Sequence, residues 1–396
     1  MARKLPFLEE LPALHNRRFA LFDSLRALAI ISVLGVHIGG PSGANTNAWY
    51  GVLTSHMNIG VTLFFLITGF LLYRPHALAI FNKSAPPSVG LYARHRFFRV
   101  VPAYWVALTV LAAWPGLPGV WSNEWWVYYG FLQSYRVRWL FSGIPAAWFL
   151  SVEVAFFVLL PFLAAAIRWA VRGLKPIWQL RGQLAILIVL GLVSLSIRIM
   201  VHVAGANDYT NTIAACFMWF TVGMALALAS VWWDWREWES PLVRLVINHP
   251  GVCWLLAGGI FGVMSVNLPR AFVPQTVLAH SMEYILYAVI AFLVMLPAVF
   301  GENAGGFPRW VLANPFLLWI GKISYSIFLW HQPLLRVIAE RGGGGIIPGA
   351  PYLSLTILIV PVSLGVGWLS YQLVERPSLR LKDRRSPAKA CGHDQI

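Results

Sequence analysis

The chain repeats one feature from end to end: apolar runs of about twenty residues, divided by short segments that carry its arginines. A helix of that length matches the hydrocarbon thickness of a bilayer. Inside a bilayer every backbone N–H and C=O must be satisfied within the protein, which leaves helices or closed barrels. Runs this long and this continuous are helical. About ten spans can be placed, at 21–39, 59–80, 100–118, 148–170, 184–204, 212–231, 251–268, 276–298, 315–339 and 352–374. The third is the weakest, because Pro115 and Pro118 crowd its end. The expected fold class is therefore an all-α integral membrane protein of about ten transmembrane helices, multi-pass in a cell membrane. Composition agrees: 11% of residues are charged, against about 25% in soluble domains, and mean hydropathy is +0.67.

Charge sets the orientation. Of 30 Lys and Arg residues, Arg136, Arg138, Arg270 and Arg341 fall in the segments on one side. Arg26, Arg198, Lys322 and Arg336 fall within spans, and all the others lie on the side of the amino terminus. The positive-inside bias then makes both termini cytoplasmic. The net charge of +15 does not imply nucleic acid, since the basic residues are spread between spans and form no stripe on a soluble domain. Cys216, Cys253 and Cys391 have neither metal-ligand spacing nor the pattern of a disulfide framework. No metal is expected. Residues 1–20, with Glu9 and Glu10, read as a cytoplasmic lead-in to a retained first span. Residues 21–377 read as one transmembrane domain and 378–396 as a basic, disordered cytoplasmic tail.

The first span carries two ionisable groups, Arg26 and His37. They are eleven positions apart, about three turns, so both lie on one helix face roughly 16 Å apart along the axis. Ionisable groups within a span are costly and mark functional sites by default. The plainer alternative is an Arg26 that snorkels to the interface and a His37 that hydrogen-bonds a neighbouring helix. Glu153 stands in the outer third of the fourth span, which opens with Trp148, and shares a depth with His37. A carboxylate that orients an imidazole is the usual support of a general base; the alternative is a structural Glu bonded to a buried donor. Arg94, Arg96 and Arg99 crowd the inner loop Tyr92–Tyr104, where arginine forks suit phosphate but positive-inside bias alone also accounts for them. Ser324, Phe328 and His331 share a face of the ninth span, and His331 is either a packing contact or a pocket residue. Arg198, His202, His280 and Glu283 sit at outer span ends and read as interfacial anchors. Trp121, Trp125, Trp126, Tyr128, Tyr129 and Trp139 enrich the outer loop 119–147, a bilayer-interface composition that also permits sugar stacking.

Six stretches together carry a family resemblance: Arg26-x10-His37; Gly60-Val-Thr-Leu-Phe-Phe-Leu-Ile-Thr-Gly69; Arg94/Arg96/Arg99-Val-Val-Pro102; Trp148-x-x-Ser-x-Glu153; Ser324-Tyr-Ser-x-Phe-Leu-x-His331; and Glu375-x-Pro377. In this order, from Asp23 to Pro377, the chain resembles the acyltransferase-3 family of integral membrane O-acyltransferases, in its stand-alone form without a fused soluble hydrolase-like domain. Thr68 stands where the family usually has Ser, and Phe157 where Tyr is common.

The resemblance implies transfer of an acyl group, acetyl foremost, from acyl-CoA (acetyl-CoA) as co-substrate to a hydroxyl of a glycan, glycolipid or related acceptor, in a bacterial inner or plasma membrane. On that reading the nucleotide docks inside on Arg94, Arg96 and Arg99 with Arg26 nearby, and the pantetheine arm rises along the Arg26–His37 stripe. His37, supported by Glu153, deprotonates the acceptor, or carries the acyl group itself. Tyr325, His331 and Trp148 are candidates for the substrate pocket, with Tyr325 as an oxyanion donor. Asp23 and Glu375 take structural roles. A transporter of a lipid-linked or small polar substrate is the alternative, but it predicts internal symmetry that the chain lacks. A polyprenol-sugar glycosyltransferase would want acidic residues in the first outer loop, and residues 40–58 contain none.

Overall fold

The computed structural model describes residues 19–236, 240–270, 273–301 and 304–383. The expected lead-in before residue 19, the tail beyond 383 and Cys391 lie outside these residues. The long helices are α1 (Phe22–Gly39), α2 (Ile59–Phe81), α3 (Val89–Leu111), α4 (Trp148–Ala170), α5 (Pro176–Val203), α6 (Ile213–Arg236), α7 (Pro250–Asn267), α8 (Val277–Val299), α9 (Pro315–Glu340) and α10 (Pro351–Ser370). Among the described residues there is no strand. Nine stretches of the described residues are long and apolar enough to cross a membrane. The tenth helix, α9, has 26 residues and is less apolar because it turns Ser324, Ser326 and His331 into the protein interior.

Two boundaries move for local reasons. α3 starts at Val89, not at 100, because the Ser88 side chain caps it by accepting from Leu91 N–H. The basic stretch 92–104 is therefore helix, not loop. α5 starts at Pro176, where a proline at the first helical position is pre-set for the helix. Beyond α10 the chain continues through a π-turn, Tyr371–Glu375, into a short helix, Arg376–Asp383. The first part of the expected tail is thus helical.

α1 packs between α2 and α9, and α2 lies along α6. Glycine permits that closest approach: Gly69 of α2 rests on the Phe220 backbone, and Gly223 of α6 on the Leu66 backbone. Gly321 of α9 likewise rests on the backbone of Asp23. Arg74, counted in the sequence as an inner flanking charge, is buried in the α2–α6 seam, where it pairs with Asp234 at 2.6 Å and donates to Ser230 at 3.0 Å. α5 presents Ile188, Val189, Leu192 and Val193 outward, as a lipid-facing surface requires.

Candidate active site

Arg26 and His37 both face α9, as the one-face arithmetic demands, but they open onto different cavities. At the end of the bundle where α1 begins, a cavity of about 90 Å³ is lined by Arg26, Thr68, Arg96, Arg99, Glu153 and Tyr325, among others. Its charges are largely matched. Arg26 pairs with Asp23 at 2.7 Å, and Arg99 with the fully buried Glu375 at 2.7 Å. Glu375 also accepts from Ser326 at 2.9 Å. Glu153 accepts from Thr68 Oγ1 at 2.8 Å and lines the same cavity as Arg96, Arg26 and Arg99. Arg96 keeps a buried Nε without a partner. Three arginines thus stand among three carboxylates.

At the other end, His37 lines a cavity of about 560 Å³ with Asn45, Gln332, Arg336 and Glu340. His37 Nδ1 lies 2.8 Å from His331 Nε2, and the two rings stack with centroids 5.0 Å apart. No residue lines both cavities. Phe328 stands between them, lining the inner one and lying 5.9 Å from the His331 ring. Among the described residues no group of three His, Cys, Asp or Glu side chains could hold a metal ion.

This helical bundle matches the family model described as an acyltransferase domain over residues 19–372. The chain belongs to this acyltransferase family. Peptidoglycan O-acetyltransferase OatA of Listeria monocytogenes is 24% identical over 380 residues, covering 90% of this chain and 55% of that protein. Putative O-acetyltransferases of Staphylococcus aureus are 21% identical (strain COL) and 22% identical (strain MSSA476) over 377 residues, covering 90% of this chain and 56% of each of those proteins. The chain spans about half the length of these curated relatives. No solved structure matches. It is a multi-pass membrane protein, and its relatives are bacterial.

Four expectations need correction within this family member. Glu153 does not support His37: it turns toward Thr68 and the arginines, and His331 takes the place beside His37. Arg94 lies outside the inner cavity, donating to the Leu381 carbonyl at 2.6 Å. Tyr325 lines the inner cavity and its hydroxyl donates to the Val100 carbonyl at 2.8 Å, so it is no oxyanion donor at His37. Trp148 lines neither cavity; it opens α4, where its carbonyl accepts from Ser134. Arg26, Arg96 and Arg99 do converge, and Asp23 and Glu375 pair with two of them. Sequence reasoning missed Thr68 as the partner of Glu153, although its replacement of the family's usual Ser keeps the hydroxyl that this bond needs. It also missed Gln332 and Arg336 in the outer cavity, which only their i+4 spacing could have suggested.

Proposed function

We propose that the chain is a membrane O-acetyltransferase that acts at His37, within the cell membrane of a bacterium. The observation that carries the reading is an imidazole with one nitrogen held by a neighbour and the rest of its edge lining the largest polar-edged cavity at its end of the bundle. The donor is an acyl thioester, acetyl-CoA in our reading, approaching from the arginine-rich, cytoplasmic end. The acceptor is a hydroxyl of an envelope glycan, a class that the name of the Listeria relative suggests.

The acceptor hydroxyl gives its proton to the free nitrogen of His37 and attacks the thioester carbonyl. The C–O bond forms, the C–S bond breaks, and the imidazolium returns the proton to the departing thiolate. Gln332 and Arg336 are among the donor-bearing side chains that line the same cavity, with Asn45. The residues fit the donor only in part. Arg26 and Arg99 are already paired with carboxylates, which leaves Arg96, with its unpartnered Nε, as the side chain suited to a phosphate or thioester oxygen. Phe328 must yield for the acyl group to pass from the inner cavity to His37.

The test is mass spectrometry of envelope glycans from cells with and without the gene. Loss of an acetyl mass from a glycan, restored by the wild-type gene, is expected. An unchanged acyl pattern contradicts the proposal.

A further inference from the structure

We propose that His331 is a positioning residue that fixes the tautomer of His37, so that Nε2 is the basic nitrogen turned to the outer cavity. The inference rests on His37 as the base. His331 Nδ1 lies 2.8 Å from the Phe328 carbonyl and 3.2 Å from the Ile327 carbonyl. A carbonyl oxygen only accepts, so His331 Nδ1 carries a hydrogen. A neutral His331 then offers only a lone pair at Nε2. That atom is 2.8 Å from His37 Nδ1, so His37 Nδ1 must donate. A neutral His37 with its hydrogen on Nδ1 has a bare Nε2. Among the described residues that nitrogen has no hydrogen-bond partner, yet it is not one of the sealed, unpartnered polar atoms. It therefore opens to the cavity that His37 lines.

His331 is fully buried, and its helical register on α9 dictates the direction of the whole relay. The Phe328 and Ile327 carbonyls belong to the turn just before it, where a helical histidine side chain naturally points back. The arrangement does with a neutral imidazole what a carboxylate does in many His-based sites: it orients the ring and selects the tautomer. Unlike a carboxylate, it brings no negative charge into the apolar interior. His37→Ala and His331 variants should therefore not contribute independently, because His331 acts only through His37.

The experiment uses the full chain in nanodiscs, with [14C]acetyl-CoA as donor and lysozyme-released muropeptides as acceptor. His331→Met keeps bulk but replaces the imidazole nitrogen with a thioether sulfur, only a weak acceptor; His331→Gln keeps an acceptor oxygen on a side chain of similar reach. We expect His331→Met to lower kcat by about 100-fold or more, with KM for acetyl-CoA unchanged. His331→Gln should stay within about tenfold of wild type, and His331→Met should add nothing in a His37→Ala background. Solid-state 15N spectra of histidine-labelled protein read the tautomer without turnover: His37 should be protonated at Nδ1 and bare at Nε2, and His331→Met should abolish that preference. Full kcat in His331→Met, equal losses in the Met and Gln variants, or a protonated Nε2 on His37 each overturns the proposal. Full turnover by His37→Ala overturns the base assignment itself, whereas an inactive His37→Ala beside a fully active His331→Met overturns only the positioning role.

Discussion

At the scale of single residues, two side-chain hydrogen bonds join helices at the candidate site, His37–His331 and Thr68–Glu153. His37→Ala removes the proposed base, and transfer should fall by about 10²–10⁴-fold while membrane insertion and detergent-solubilised melting stay near wild type. A well-inserted His37→Ala protein with normal turnover contradicts the assignment. Thr68 donates to Glu153 at 2.8 Å within the helix bundle. Thr68→Val leaves that carboxyl oxygen without its donor and should cost about 1–3 kcal/mol in stability, whereas Thr68→Ser should stay near wild type; melting of the two variants in the same detergent compares them directly. The Arg26–His37 stripe was legible in the sequence because residue spacing along one helix fixes both depth and face. The partner of His37 was not. Glu153 and His37 sit on different helices, and span positions alone fix neither their relative depth nor their direction: Glu153 lines the cavity with Arg26, not the one with His37. α4 turns Glu153 toward Thr68 and the arginines, while α9 turns His331 toward α1.

At the scale of elements, the helices follow hydropathy closely wherever both ends are marked by an abrupt change to polar residues. α4 runs from Trp148 to Ala170, as the sequence suggests. The discrepancies fall where a cap or proline starts a helix inside a polar stretch. Ser88 begins α3 among residues too basic to register as a span, and so converts an apparent loop into the helix turns that aim Arg96 and Arg99 inward. α9 is the opposite case: Ser324, Ser326 and His331 are buried, so low apolarity there reflects polar groups turned into the bundle instead of solvent exposure. Arg99 of α3 and Glu375, in the turn after α10, join two elements through a buried pair. Arg99→Ala should destabilise the protein by about 3 kcal/mol, because it leaves the Glu375 carboxylate buried and unpaired. Arg99→Ala combined with Glu375→Gln should recover most of that loss. If the double variant is as unstable as Arg99→Ala alone, Arg99 serves something other than Glu375, and a phosphate-binding role regains weight.

At the scale of the whole molecule, the two cavities open at different levels of α1, marked by Arg26 and His37, which are about 16 Å apart along the helix axis. The charged cavity is at the arginine-rich end, and the larger one, with His37, is at the other. On the proposed function, this separation lets donor and acceptor reach one reaction centre from opposite faces of the membrane. A thioester arm is slender enough to pass a side chain such as Phe328, whereas a glycan is bulky and polar and belongs in the open outer cavity. Proteoliposomes with the protein in one orientation decide the matter. Acetyl-CoA is supplied only on the face carrying Arg96 and Arg99, and the muropeptide acceptor only on the face carrying the His37 cavity. Acetylated muropeptide is expected under that arrangement, and little when both substrates are confined to the arginine-rich face. Product formed only when both substrates share the arginine-rich face contradicts that expectation.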